Sequence, residues 1–120
     1  MASGRMRRVD EAVREVLSDV IPKSLKDPRI GFVTVTAVKT SPDLRHARVY
    51  VSVLGDETTR AATLEGLRSA HGFLQGLVGS ELTLKRTPAL TFEYDDTVDR
   101  AARISELIEQ ELGREDGSDA

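Results

Sequence analysis

The sequence predicts a two-layer α+β domain: a three-stranded sheet with helices packed on one face. Three observations lead there. Apolar residues step by three and four through some stretches, they alternate with polar ones through others, and the stretches run helix, strand, strand, bent helix pair, strand, helix. The 120 residues fit one domain. The expected division is a disordered start (residues 1–4), a folded body (5–112) and an acidic disordered tail (113–120).

Val9, Val13, Val16, Leu17 and Val20 share one helical face and predict a first helix over about residues 6–21. Pro22 or the Asp27-Pro28 pair is expected to end it, because a residue before proline is pushed out of helical conformation. From Phe32 to Lys39, Val33 and Val35 alternate with Thr34 and Thr36, which reads as a strand. Ser41-Pro42-Asp43 supplies turn chemistry. Ala47, Val49, Val51 and Val53 then alternate with Arg48, Tyr50 and Ser52, so the two strands form an antiparallel hairpin.

Asp56 to Thr59 offers N-caps for a helix pair running to about Val78. Leu64, Leu67, His71 (or Ala70), Leu74, Leu77 and Val78 keep one apolar stripe in phase across Gly72. Glycine inside a helix costs about 1 kcal/mol relative to alanine, so a bend is expected at Ala70–Gly72. Gly79 is expected to stop the pair. Leu82 to Tyr94 reads as a third extended segment, with Pro88 pointing to an edge position or a bulge. Asp96 or Thr97 caps a last helix, with Val98, Ala101, Ile104, Leu107, Ile108 and Leu112 expected on its inner face. Helix, two strands, two helices, strand is the type II KH arrangement. It excludes a Rossmann unit, which needs strand–helix–strand crossovers.

Composition narrows the chemistry. The chain has no cysteine, which excludes disulfides and thiolate sites, and two distant histidines, which argues against zinc. No apolar run is long enough to span a bilayer, so a soluble, cytoplasmic chain without a membrane partner is expected. The net charge of −3 is unevenly spread. Residues 105–120 hold six acids against one base, whereas residues 1–48 hold ten bases against six acids. An acidic tail beside a basic binding face produces such asymmetry, and so do ordinary solvated helices.

Catalytic groups are sparse. Glu93, Asp95, Asp96 and Asp99 form a carboxylate cluster, but acids at a helix start are more simply explained as caps and dipole partners. Ser69 and His71 lack an acid nearby in sequence to orient the imidazole. No catalytic residue, metal site, cofactor or small-molecule substrate is therefore expected. The bases are better organised. Arg5, Arg7 and Arg8 open the first helix, Lys23, Lys26 and Arg29 cluster in the loop after it, Lys85 and Arg86 flank the third extended segment, and Arg68 stands one turn before Gly72. If the first helix and third strand sit beside the bend, these form one basic stripe that would hold phosphates. Gly76-Leu77-Val78-Gly79 is a literal Gly-x-x-Gly, but its apolar centre continues the buried stripe and reads as packing.

Four blocks in order resemble the ribosome-binding factor A family: Leu25-Lys26-Asp27-Pro28-Arg29-Ile30; Asp43-Leu44 with Ala47 to Gly55; Ala70-x-Gly72-Phe73-Leu74; and Pro88-x-Leu90-x-Phe92-x-x-Asp95. The resemblance implies a KH-like fold with an alanine-centred kink, and a non-enzymatic factor that associates with free 30S subunits and their 16S rRNA; nothing in the sequence demands more than a monomer. It further implies a role in late maturation and 5′-end processing of that RNA, growth in the cold, and contact with other assembly factors. Carried over by position, the kink is Ser69, Ala70, His71 and Gly72, with Arg68 beside it. Gln75 and Ser80 stand where members of the family often carry bases. The alternative reading is a protein–protein adaptor with no direct RNA contact.

Overall fold

A computed structural model describes residues 4–83 and 86–118. Its elements are α1 (Gly4–Ser24), β1 (Val33–Thr40), β2 (His46–Val53), α2 (Glu57–Ser69), α3 (His71–Leu82), β3 (Ala89–Tyr94) and α4 (Thr97–Ser118). The sheet order is β1-β2-β3, with β1 antiparallel and β3 parallel to the central β2. The parallel pairing needs a crossover, and α2 and α3 supply it. This is the expected KH-like α+β fold.

The core lies between one sheet face and α1, α2 and α3. Val13, Leu17 and Ile21 of α1, Leu67 of α2 and Leu74 and Val78 of α3 are buried against Val35, Val38, Val49, Val51, Leu90 and Phe92. A bulge at Val35/Ala37 shifts the register, so the inward positions of β1 change phase from Val35 to Val38 and Thr40. It also releases Thr36 to donate to Asp95 at 2.6 Å. Buried Thr40 donates to the Asp10 carboxylate through both its amide and its hydroxyl, which joins the end of β1 to the start of α1.

Several boundaries differ from those expected. Helix α1 passes through Pro22 to Ser24; proline so near the end removes few helical hydrogen bonds. Gly79 does not stop α3, which continues to Leu82 and ends on Thr83 in the left-handed region. Gly79 serves packing instead: a Cβ there would lie 2.5 Å from Thr87 Oγ1. The third extended segment is accordingly shorter, starting at Ala89. Helix α4 runs to Ser118, into the segment assigned to a tail, while residues 1–3 and 119–120 lie outside the described residues.

The largest correction concerns α4. Its apolar stripe is not an inner face. Val98 is 78% exposed, and Ile104, Leu107, Ile108 and Leu112 are each more than half exposed. The reason is geometric. Three helices already cover the apolar sheet face, and the other face is mostly polar, with Thr34, Lys39, Arg48, Thr91 and Glu93 around the lone ring of Tyr50, too little apolar area to cover a helical stripe. Helix α4 extends a molecule whose long axis reaches 66 Å.

Candidate nucleic-acid interface

The α2–α3 bend is a one-residue break at Ala70, with φ −88° and ψ 7°. The Ala70 amide donates back to Gly66 and Leu67 carbonyls at 3.1 Å, and its carbonyl accepts from Leu74 at 3.0 Å, so each helix runs into the break. No side chain caps α3. Ser69 and Gly72 are exposed, and a Cβ at Gly72 would meet nothing within 4 Å. Packing therefore does not require glycine there. Ser69 and Gly72 leave the surface at the break open to solvent.

Arg68 and His71 line a groove of 340 Å³ between this break and the outer edge of β3, with Leu90, Thr91, Phe92 and Glu93 opposite. Arg68 donates to the Phe92 carbonyl at 3.0 Å, which fixes α2 to the strand. Gln75, one turn into α3, continues the same seam. Its Nε2 donates to the Pro88 carbonyl and its Oε1 accepts from the Leu90 amide at 3.0 Å. The Gln75 side chain thus spends its hydrogen bonds on the sheet.

The basic residues do not form the single stripe expected. Arg5 and Arg86 come together with Val9, Asp43, Leu44, Arg45 and Pro88 around a depression of 370 Å³. Arg7 and Arg8 are exposed at the same end of α1, and Lys85 lies outside the described residues. Lys23, Lys26 and Arg29 sit at the other end of α1, whose 21 residues span about 30 Å. They are separated because α1 runs the length of the sheet, with Asp10 at the end of β1 and Ile21 beside Val33 at its start.

Two of this far group are already paired. Lys23 binds Asp19 at 2.6 Å. The Arg29 guanidinium forks onto Asp27, 2.6 Å at closest, and reaches Glu65 at 3.5 Å, which ties the loop to α2. That hydrogen bonding holds the Asp27 carboxyl below the usual carboxylate range. Arg29 is thus a structural residue here. Arg45 is the member sequence reasoning missed. It stands alone between Leu44 and His46, and only the turn, with Leu44 at φ 60°, carries it to Arg5 and Arg86.

The carboxylates after β3 are structural partners. Asp95 accepts from Thr36 and from the amide and hydroxyl of Thr97. Asp99 accepts from the Tyr94 hydroxyl at 3.1 Å and pairs with Arg60 at 3.3 Å, whose guanidinium lies 4.4 Å from the Tyr94 ring centroid. Among the described residues no three acidic or imidazole groups converge to hold a metal ion, and no helix is long and apolar enough to cross a membrane.

A family model for ribosome-binding factor A matches residues 5–108, nearly the whole folded body. The chain belongs to the ribosome-binding factor A family. Ribosome-binding factor A of Halothermothrix orenii is 46% identical over 122 residues, covering 98% of this chain and all of the relative. The crystal structure of ribosome-binding factor A from Thermus thermophilus superposes with a TM-score of 0.65 at 28% identity, covering 74% of this chain and 94% of that one. A homology model of the Thermus thermophilus factor, fitted into a cryo-electron-microscopy map of its complex with the 30S subunit, superposes with a TM-score of 0.62 at 28% identity, covering 72% of this chain and 90% of that one. The four sequence blocks therefore identified the family correctly, and the Ala70 break is where they placed it.

Proposed function

We propose that this protein is a non-catalytic assembly factor that binds free 30S subunits and assists late maturation of 16S rRNA, including processing of its 5′ end. The observation that carries the reading is near-full-length membership in a family with a member fitted into a 30S complex. The contact face we assign runs from the Ala70 break along the β3 groove to Arg5, Arg45 and Arg86, with Arg7 and Arg8 at its rim. Phosphates would meet the open surface at the break and the guanidinium groups, giving salt-dependent binding with little sequence readout. Such a factor works as a cytoplasmic monomer, needs no cofactor, and supports growth in the cold.

Sedimentation of cell extract tests this directly. The protein should travel with free small subunits, and its absence from those fractions overturns the reading. A second reading, a protein–protein adaptor, is favoured by the exposed apolar stripe of α4. Pull-downs before and after RNase separate the two, because an adaptor keeps its partner once RNA is gone.

A further inference from the structure

The sheet has a second face, and it is neither apolar nor neutral. On β2, His46, Arg48 and Tyr50 alternate outward, away from the buried Ala47, Val49 and Val51. The register sets Lys39 of β1 and Thr91 of β3 on either side of Arg48, and Ala37 and Glu93 on either side of Tyr50. Lys39, Thr40, Ser41, His46, Arg48, Tyr50 and Thr91 line a shallow depression of 510 Å³.

One aromatic ring lies at the centre of this patch, among cations. The Lys39 ammonium stands 5.9 Å from the Tyr50 ring centroid. Hydrogen bonding to Tyr50 and the nearby charge of Glu93 hold the Arg48 guanidinium firmly protonated, above its usual range. Of the two cross-strand neighbours of Tyr50, Ala37 is small and leaves one side of the ring open, while Glu93 flanks the other. At the outward strand positions of this patch Lys39 and Arg48 outnumber Glu93. Exposed Thr91 supplies a hydroxyl on this face, which suits a polar ligand better than the apolar face of a protein partner.

We propose that this open face binds unpaired RNA, one base stacking on Tyr50 while its flanking phosphates lie on Lys39 and Arg48. Unpaired bases offer a free π face that a duplex hides, and a lone aromatic platform among cations fits that ligand. The patch lies on the opposite side of the sheet from α3, so the Ala70 break and Tyr50 would hold separate RNA segments. Arg45, adjacent to His46, belongs to the Arg5–Arg86 cluster at the sheet end and links the two faces. The inference shares with the proposed function only the premise that the partner is RNA.

The test is a titration of the isotope-labelled full chain with a single-stranded oligouridine decamer, followed by amide chemical shifts. A perfect duplex of equal length is the control. Shifts should cluster on Lys39, His46, Arg48, Tyr50 and Thr91, with the duplex leaving them unmoved. Tyr50→Ala should weaken decamer binding about tenfold, while Tyr50→Phe, which keeps the ring, stays within about twofold. Shifts confined to residues 68–75, or no shifts, overturn the inference, as does equal loss in both variants. The wild-type shift map decides the matter even if Tyr50→Ala folds poorly. Co-sedimentation with 30S subunits, measured separately, reports the proposed function independently of this face.

Discussion

Asp95 joins the sheet to the last helix, and its chemistry sets a pH window. Hydrogen bonds from Thr36, then Thr97, lower its carboxyl from the usual 3.8 to about 2. A carboxylate with a depressed folded-state pKa stabilises the fold fully above its unfolded value, and that contribution fades as the pH falls through the folded one. Melting temperature should therefore drop between about pH 4 and pH 2, and Asp95→Asn should remove part of that slope while lowering stability at pH 7. A thermal melt series in citrate and phosphate buffers reads both. The arginines divide in the same residue-by-residue way. Arg45→Glu and Arg86→Glu should each weaken binding to a 16S rRNA fragment and reduce the log–log salt slope by about one. Arg29→Ala should leave that slope alone and lower the melting temperature, because its guanidinium serves Asp27 and Glu65. Filter binding across a salt series distinguishes them.

Strand β3 sits at the sheet edge, and side chains of α2 and α3 occupy its outer backbone groups. Gln75→Ala would strand the Leu90 amide and the Pro88 carbonyl, at a cost of about 1–3 kcal/mol measurable by urea denaturation. Gln75→Glu keeps an acceptor for Leu90 but loses the donor, so it should fall between. Such a role explains what the sequence could and could not reveal. Periodicity placed β1, β2, α2 and the Ala70 break, because each is a local pattern of apolar spacing and glycine. It could not see that Gly79 makes room for Thr87, or that Gln75 reaches a strand beyond Thr83, since both depend on what a distant segment brings alongside. It read the stripe of α4 correctly as amphipathic and wrongly as inward. A stripe says that one face is apolar, not that the sheet has apolar area left to cover it. The basic stripe failed for a related reason: α1 separates charges that look contiguous along the chain.

For the molecule as a whole, α4 is an appendage. Its first turn is fastened by Asp99 to Arg60 and Tyr94, yet its apolar side chains contribute little to the core. Helices in proteins draw most of their stability from packing an amphipathic face, and the apolar face of α4 is unpacked. Ending the chain after Asp96 should therefore shift the melting temperature by no more than a few degrees, and limited proteolysis should cut between 100 and 113 before it touches the body. The parallel pairing of β2 with β3 has its own consequence, in time. The β1–β2 hairpin closes locally, but β3 reaches β2 only after α2 and α3 have been threaded across, so the loop-closure entropy of that crossover is met late. Until then Val49 and Val51 border an unpaired strand edge, open to another nascent chain. The seal made by Gln75 and Arg68 closes last, so its loss should appear in stopped-flow kinetics as faster unfolding with refolding unchanged. The β2 edge is thus open to such pairing only in the interval before β3 docks.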